Sequence, residues 1–214
     1  MLGEENGGVD EPLRPWAVSE DEYPADAAAT EERIRFLLRY AILAPSGHNT
    51  QPWLFRIRDQ AVEVLADRTR ALPVVDPDDR ALVISCGAAL ATLRIAARHF
   101  GFRADVDVLP DPSDEDLLAR VSLEQGDPPS SDEETLFGAI PERHSNRQAF
   151  EVREVGNGPA GMLVAEARDE GVGLHLIRGD DRGADRRRRP DPDGRQALPA
   201  GAGVLGPSEP ESQP

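Results

Sequence analysis

A run of apolar residues between Asp79 and Gly101 constrains everything around it. Its centre carries Ile84, Ala88, Ala89, Leu90, Leu93 and Ile95, which on a helix of about 3.6 residues per turn cover most sides. A helix with so little polar surface has to be wrapped by other elements, so the spacing predicts a buried core helix. Asp78 or Asp79 is placed to cap its start, and Gly101 to end it just after Phe100. No window approaches the ~18 apolar residues that a membrane span needs. With neither a basic start nor an apolar run at the N-terminus, the expected setting is the cytoplasm, with no membrane partner. A lone Cys86 cannot form an intramolecular disulfide and gives no reason to expect an oxidising compartment.

Elements that can do the wrapping lie on both sides. Ile34, Leu37, Leu38, Ala41 and Ile42 repeat at helical spacing after Thr30, which can cap them, with Glu31 and Glu32 favouring the positive end. Pro45 stops that helix, because it lacks an amide donor and disfavours helical geometry at Ala44. Trp53, Phe55 and Ile57 then alternate with Leu54, Arg56 and Arg58. After Asp59 and Gln60, Val62 and Val64 alternate again, which predicts a β-hairpin. Ala104, Val106 and Val108 alternate with charged residues as in a half-buried strand, and residues 118–123 are its expected partner. A short helix is expected from about Asp132 to Ile140, another over residues 162–170, and a strand over residues 173–177. The order is mixed α and β.

Composition sets the limits of the folded region. Residues 1–29 are rich in Glu, Asp, Gly and Pro and are expected to form a disordered acidic arm that Trp16 and Tyr23 pin in part. Residues 179–214 hold few large apolar side chains among many Arg, Asp, Pro and Gly, too few to offset the entropy of ordering them, and are expected to be a disordered tail. The net charge of −16 repels a phosphate backbone, and the four arginines 186–189 sit among aspartates, so no nucleic-acid partner is expected. All 24 basic residues are arginine.

Two segments carry candidate chemistry. The first is Pro45-Ser46-Gly47-His48-Asn49-Thr50-Gln51-Pro52-Trp53, between a buried helix and a strand. Asn49 and Gln51 offer amide donors and acceptors, while Pro45, Ser46 and Gly47 allow close backbone approach. The plain alternative is a capped turn whose amides satisfy its own backbone. The second is Arg143-His144-Ser145-Asn146-Arg147, in which two guanidiniums and a hydroxyl, two residues apart, can converge on one phosphate. By itself such a spacing is common in surface loops. His48, His99, His144 and His175 show no metal-ligand spacing with each other or with Cys86, and Ser46 lacks the flanks of a nucleophile elbow. No catalytic acid, base or nucleophile and no metal site is assigned.

Together the two segments resemble the FMN-binding nitroreductase family. The first matches its Pro-Ser-x-x-Asn-x-Gln-Pro-Trp loop in residue type and spacing, and the second its Arg-x-Ser-x-Arg element. The resemblance implies an α+β fold of three layers, with a central mixed or antiparallel sheet and a buried core helix, here incomplete. It implies that Pro45, Ser46, Gly47, Asn49 and Gln51 meet the flavin ring, and that Arg143, Ser145 and Arg147 hold the phosphate and ribityl. It further implies an oxidoreductase using NAD(P)H to reduce nitro compounds, quinones or similar small-molecule acceptors, with a homodimer as one arrangement. In the common family pattern the arginine element precedes the loop. Here it follows by about a hundred residues, which resembles a subgroup of two fused nitroreductase-like halves. Residues 67–73 and 83–90 look like that subgroup too. Residues 30–140 then correspond to the first half and 141–178 to the start of the second. The resemblance covers about residues 31–150 and stops after about residue 178, as in a truncated or frame-shifted family member. A flavin-sequestering protein without turnover and an inactive shortened chain are the alternative expectations.

Overall fold

The computed structural model describes residues 17–24, 30–149, 151 and 155–176. The chain divides after Arg147 into two units. The first contains helix α1 (Thr30–Ala41), strands β1 (Trp53–Arg58) and β2 (Ala61–Ala66), helix α2 (Arg80–His99), strands β3 (Phe102–Val108) and β4 (Leu117–Gln125), and helix α3 (Ser131–Glu142). The second contains helix α4 (Asn157–Asp169), which begins five residues before the helix expected over residues 162–170 and ends one residue short of it. The fold class is α+β.

The four strands form one antiparallel sheet in the order β1-β2-β4-β3. The predicted hairpin is present, with Trp53 opposite Ala66 and Arg58 opposite Ala61. Its two-residue turn needs positive φ at both positions to match the twist of the strands. Asp59 and Gln60 supply it at 46° and 68°. β2 and β4 occupy the centre, so Val62, Val64, Ala119 and Val121 are fully enclosed. Their register puts these four on one face, where α1 and α2 cover them. The other face carries Arg56, Arg120 and Glu63, whose enclosed carboxylate accepts from both arginines at 3.0 Å.

Several expectations are corrected. In α1 the inward face is Ile34, Phe36, Leu37, Tyr40 and Ala41, while Ile42 lies past the helix end and is exposed. Phe36 and Tyr40 turn inward because Phe100 and Phe137 meet them, with ring centroids 4.9–6.0 Å apart for the contacting pairs. Thr30 is the first helical residue rather than the cap. At the start of α2, Asp79 occupies the cap position in a left-handed conformation, and its side chain caps nothing. The carboxylate of Asp76 accepts from Ala81 N and Leu82 N instead, each at 2.9 Å. Gly101, at φ 79°, does end this helix. α2 is also long and apolar enough to cross a membrane, contrary to the expectation that no segment approaches this. In this fold it lies over the sheet, burying Leu82, Cys86, Ala89, Leu93, Ala96 and Ala97 on one side only, with Val83 and Ile84 exposed.

Elsewhere, α3 begins on a reciprocal capping box between Ser130 and Glu133 and continues through Pro141, two residues beyond its expected end. The strand expected over residues 173–177 does not form at 173–176, and Ile177 lies outside the described residues. Part of the N-terminal arm is ordered: Glu20–Glu22 form a 3-10 turn capped by Ser19, and Tyr23 stacks on Phe100 at 4.3 Å. Trp16 and the tail from residue 179 lie outside the described residues.

Candidate functional site

The first candidate segment leaves α1 through two tight turns, Leu43 N to Tyr40 O at 2.9 Å and Ala44 N to Ala41 O at 3.2 Å. Pro45 follows, exposed. The loop then closes on itself, because Ser46 Oγ accepts from Gln51 N at 3.0 Å and Thr50 N donates to Gly47 O at 3.1 Å. The closure holds three non-glycine residues in the left-handed region: His48 at φ 52°, Asn49 at 57° and Gln51 at 49°. Such conformations persist only where the surroundings enforce them. Gly47, by contrast, has ordinary φ, and a Cβ there would meet only Ala81 Cβ at 3.8 Å. The close backbone approach expected from Gly47 is therefore not a property of glycine at that position.

What enforces the loop comes from distant sequence. Ser85, one turn into α2, donates to Ala81 O at 2.7 Å and accepts from Gly47 N at 3.1 Å. Its neighbour Cys86 donates from sulfur to Pro52 O at 3.2 Å. Burial pushes the Cys86 thiol up to about 11, which keeps it protonated and able to donate. From the other side Arg70, itself paired with Asp67 at 3.1 Å, donates to Thr50 O at 3.1 Å. Adjacent α2 residues thus hold both ends of the loop, and a guanidinium holds its middle. Sequence reasoning assigned no role in this loop to Ser85, Cys86 or Arg70. Serine and cysteine side by side at the start of a long apolar helix were the available signal.

With the backbone fixed this way, the side chains of Asn49 and Gln51 are exposed. No hydrogen bond among the described residues engages either side-chain amide. The capped-turn alternative required these amides to satisfy the loop itself; Ser46 and the loop backbone do that instead. Beside the loop, Gly47, His48, Thr50, Arg70, Leu72 and Ser85 line part of a small cavity.

The second candidate segment starts where α3 ends. Arg143 stands at the C-cap, half-buried, and donates from Nη2 to Leu43 O at 3.1 Å. It therefore grips the chain two residues before Pro45, which brings the two candidate segments together at one point. Ser145 and Arg147 are exposed in an irregular run with no polar partner among the described residues.

No family model matches the chain. A Mycobacterium tuberculosis H37Rv protein provisionally named an NAD(P)H nitroreductase is 36% identical over 151 residues, which cover 71% of this chain and 44% of that protein. Over that stretch the chain is similar to nitroreductase-like proteins. A second M. tuberculosis protein with such a provisional nitroreductase name is 31% identical over 125 residues, 58% of this chain and 38% of its own length. The chain thus spans less than half the length of the curated nitroreductase relatives it matches. Among solved structures, a nitroreductase family protein of Streptococcus pneumoniae aligns with a TM-score of 0.39 at 15% identity, covering 60% of this chain and 92% of that one. A Desulfovibrio desulfuricans protein, provisionally a nitroreductase and solved in complex with FMN, aligns with a TM-score of 0.38 at 21% identity, covering 62% and 89%.

Proposed function

We propose that this chain supplies flavin-binding elements of an FMN-dependent oxidoreductase that takes electrons from NAD(P)H and passes them to nitro compounds, quinones or similar small acceptors. One observation carries the reading. Asn49 and Gln51 project unengaged amides from a loop whose left-handed backbone is imposed by Ser85, Cys86 and Arg70. Amides that carry no hydrogen bond among the described residues are available to the alternating donors and acceptors along one edge of an isoalloxazine ring, and pre-setting the backbone that carries them lowers the ordering cost of binding. Arg147 and Ser145, exposed beyond α3, supply a guanidinium and a hydroxyl for a phosphate and ribityl chain. Arg143 adds a third donor group beside them while tying their segment to the loop. A bound flavin would supply the hydride chemistry, so the protein's part is to bind, orient and exclude water.

The test is the visible spectrum of the purified chain with FMN. Flavin absorbance that stays with the protein and bleaches on adding NAD(P)H supports the oxidoreductase. Retained absorbance without bleaching reassigns the chain to flavin sequestration, and a colourless protein in excess FMN overturns the flavin reading. Because Arg147 is exposed, Arg147→Ala should leave folding intact and weaken FMN binding by roughly tenfold, the worth of one charge-assisted contact. Full occupancy in that variant, and in the double variant with Arg143→Ala, would remove the phosphate assignment.

A further inference from the structure

We propose that His99 is a pH-sensitive latch that fastens the N-terminal strap, residues 18–23, over the aromatic end of the core. His99 closes α2 and lies flat on Phe137, with ring centroids 3.6 Å apart and planes at 3°, while Phe100 meets it edge-on at 4.7 Å. The rings fix the imidazole so that its two nitrogens point in opposite directions, and each meets a carboxylate. Nε2 lies 2.9 Å from Glu20 on the strap, and Nδ1 lies 2.9 Å from Glu134 on α3.

A carboxylate can only accept, and a neutral imidazole has one N–H. With His99 neutral, one nitrogen lone pair would face a carboxylate oxygen at hydrogen-bonding distance, which is repulsive. With His99 charged, both nitrogens donate, and the cation stands between two anions. The observed arrangement is the one the imidazolium satisfies, so the latch is closed while His99 is protonated and the two carboxylates are ionised.

Raising the pH removes the proton, and one carboxylate must leave. Glu20 is the one free to do so, because it belongs to a single 3-10 turn whereas Glu134 is built into α3. The other charges around the ring are already committed: Glu22 to Arg39 at 2.6 Å and Glu133 to Arg98 at 2.7 Å. Asp21 and Tyr23 lie on the strap itself, and Tyr40 faces this side from α1, where burial pushes it up to about 12. The strap keeps the Glu22 to Arg39 pair and the Tyr23 ring stacked on Phe100 and edge-on to Phe36. Losing the latch therefore loosens the strap rather than unfolding the core.

Hydrogen exchange on the full chain tests this. The amides of Glu22 and Tyr23 bond to Ser19 O and Glu20 O at 3.1 and 2.9 Å and report the strap directly. After correction for intrinsic rates, their exchange should rise by roughly tenfold between about pH 5.5 and about pH 8.5. Exchange in β2 and β4 should not follow. In Glu20→Gln the side-chain amide can accept from an imidazolium or donate to a neutral ring, so strap exchange should become independent of pH. His99→Gln should do the same, and the exposed Glu20 variant decides the matter if substituting the half-buried His99 impairs folding. Strap exchange flat with pH in the unmodified chain, or a rise that persists in Glu20→Gln, overturns the latch.

Discussion

Cys86 shows how one side chain can hold a site together while keeping out of its chemistry. Fully enclosed in the core, it spends its S–H on Pro52 O, where the loop turns into β1. The cause of its raised pKa is desolvation, which penalises the thiolate and leaves the donor in place. Moving the thiol from 9.0 to about 11 lowers the thiolate fraction near neutral pH by roughly two orders of magnitude, before any loss of access is counted. A disulfide reagent at about pH 8 should therefore label the native chain at least roughly a hundredfold more slowly than it labels the chain in denaturant. Labelling at comparable rates would mean that α2 and the loop are not joined as described. Ser85 is the polar counterpart one residue earlier. Its hydroxyl both donates and accepts, so removing it would leave Gly47 N without its partner. Neither role was legible from sequence, because each bond spans more than thirty residues and depends on how α2 lies across the loop.

Among the elements, local chemistry was legible where it closes over a few residues and illegible where the path of a loop decides. The hairpin was readable because alternation on both sides of a two-residue gap leaves one register. The α2 cap was not. Asp76, Asp78 and Asp79 all precede the helix, and only the turn through Pro77 shows that Asp76 reaches back to Ala81 and Leu82. Likewise, an apolar sequence marks α2 as a core helix but cannot say that Val83 and Ile84 face outward, since that depends on what else packs there. The strand expected over residues 173–177 finds no ladder partner at 173–176 among the described residues, and a single strand is not stable alone. The capping assignment is testable. The Ala81 amide, followed by those of Leu82 and Arg80, holds the Asp76 carboxyl below the usual carboxylate range. A carboxylate with a depressed pKa contributes stability above its unfolded pKa and loses it as pH falls through the folded one. Asp76→Ala should lower Tm by roughly 3–6 °C near neutral pH, and the difference should shrink in acid. Asp78→Ala should leave Tm unchanged; an equal loss from that variant would move the cap back to where the sequence suggested it.

For the whole molecule the governing quantity is charge. Forty acidic residues against 24 arginines leave a net charge of −16. The described ion pairs are mostly solvent-exposed, such as Arg35 with Glu31 and Arg103 with Glu124, and exposed pairs contribute little. Glu63, enclosed between Arg56 and Arg120, is an exception that salt reaches poorly. Two opposed effects of salt follow. Screening weakens the exposed pairs, which are each worth little, and it weakens the repulsion among the excess carboxylates, which acts on the folded state as a whole. The second effect should win. Tm is expected to rise by several degrees between about 0.05 and 1 M NaCl, as the Debye length falls from over 10 Å to about 3 Å, and to level off once the remaining repulsion acts only at contact. Because the repulsion requires ionised carboxylates, the same salt series near pH 4 should give a smaller rise, and that pH dependence separates screening from general salting-out of apolar surface, which does not depend on carboxylate charge. A Tm that falls with salt near neutral pH would mean that the surface pairs outweigh the excess charge, and that the carboxylates of this chain are arranged to hold the fold together rather than merely tolerated by it.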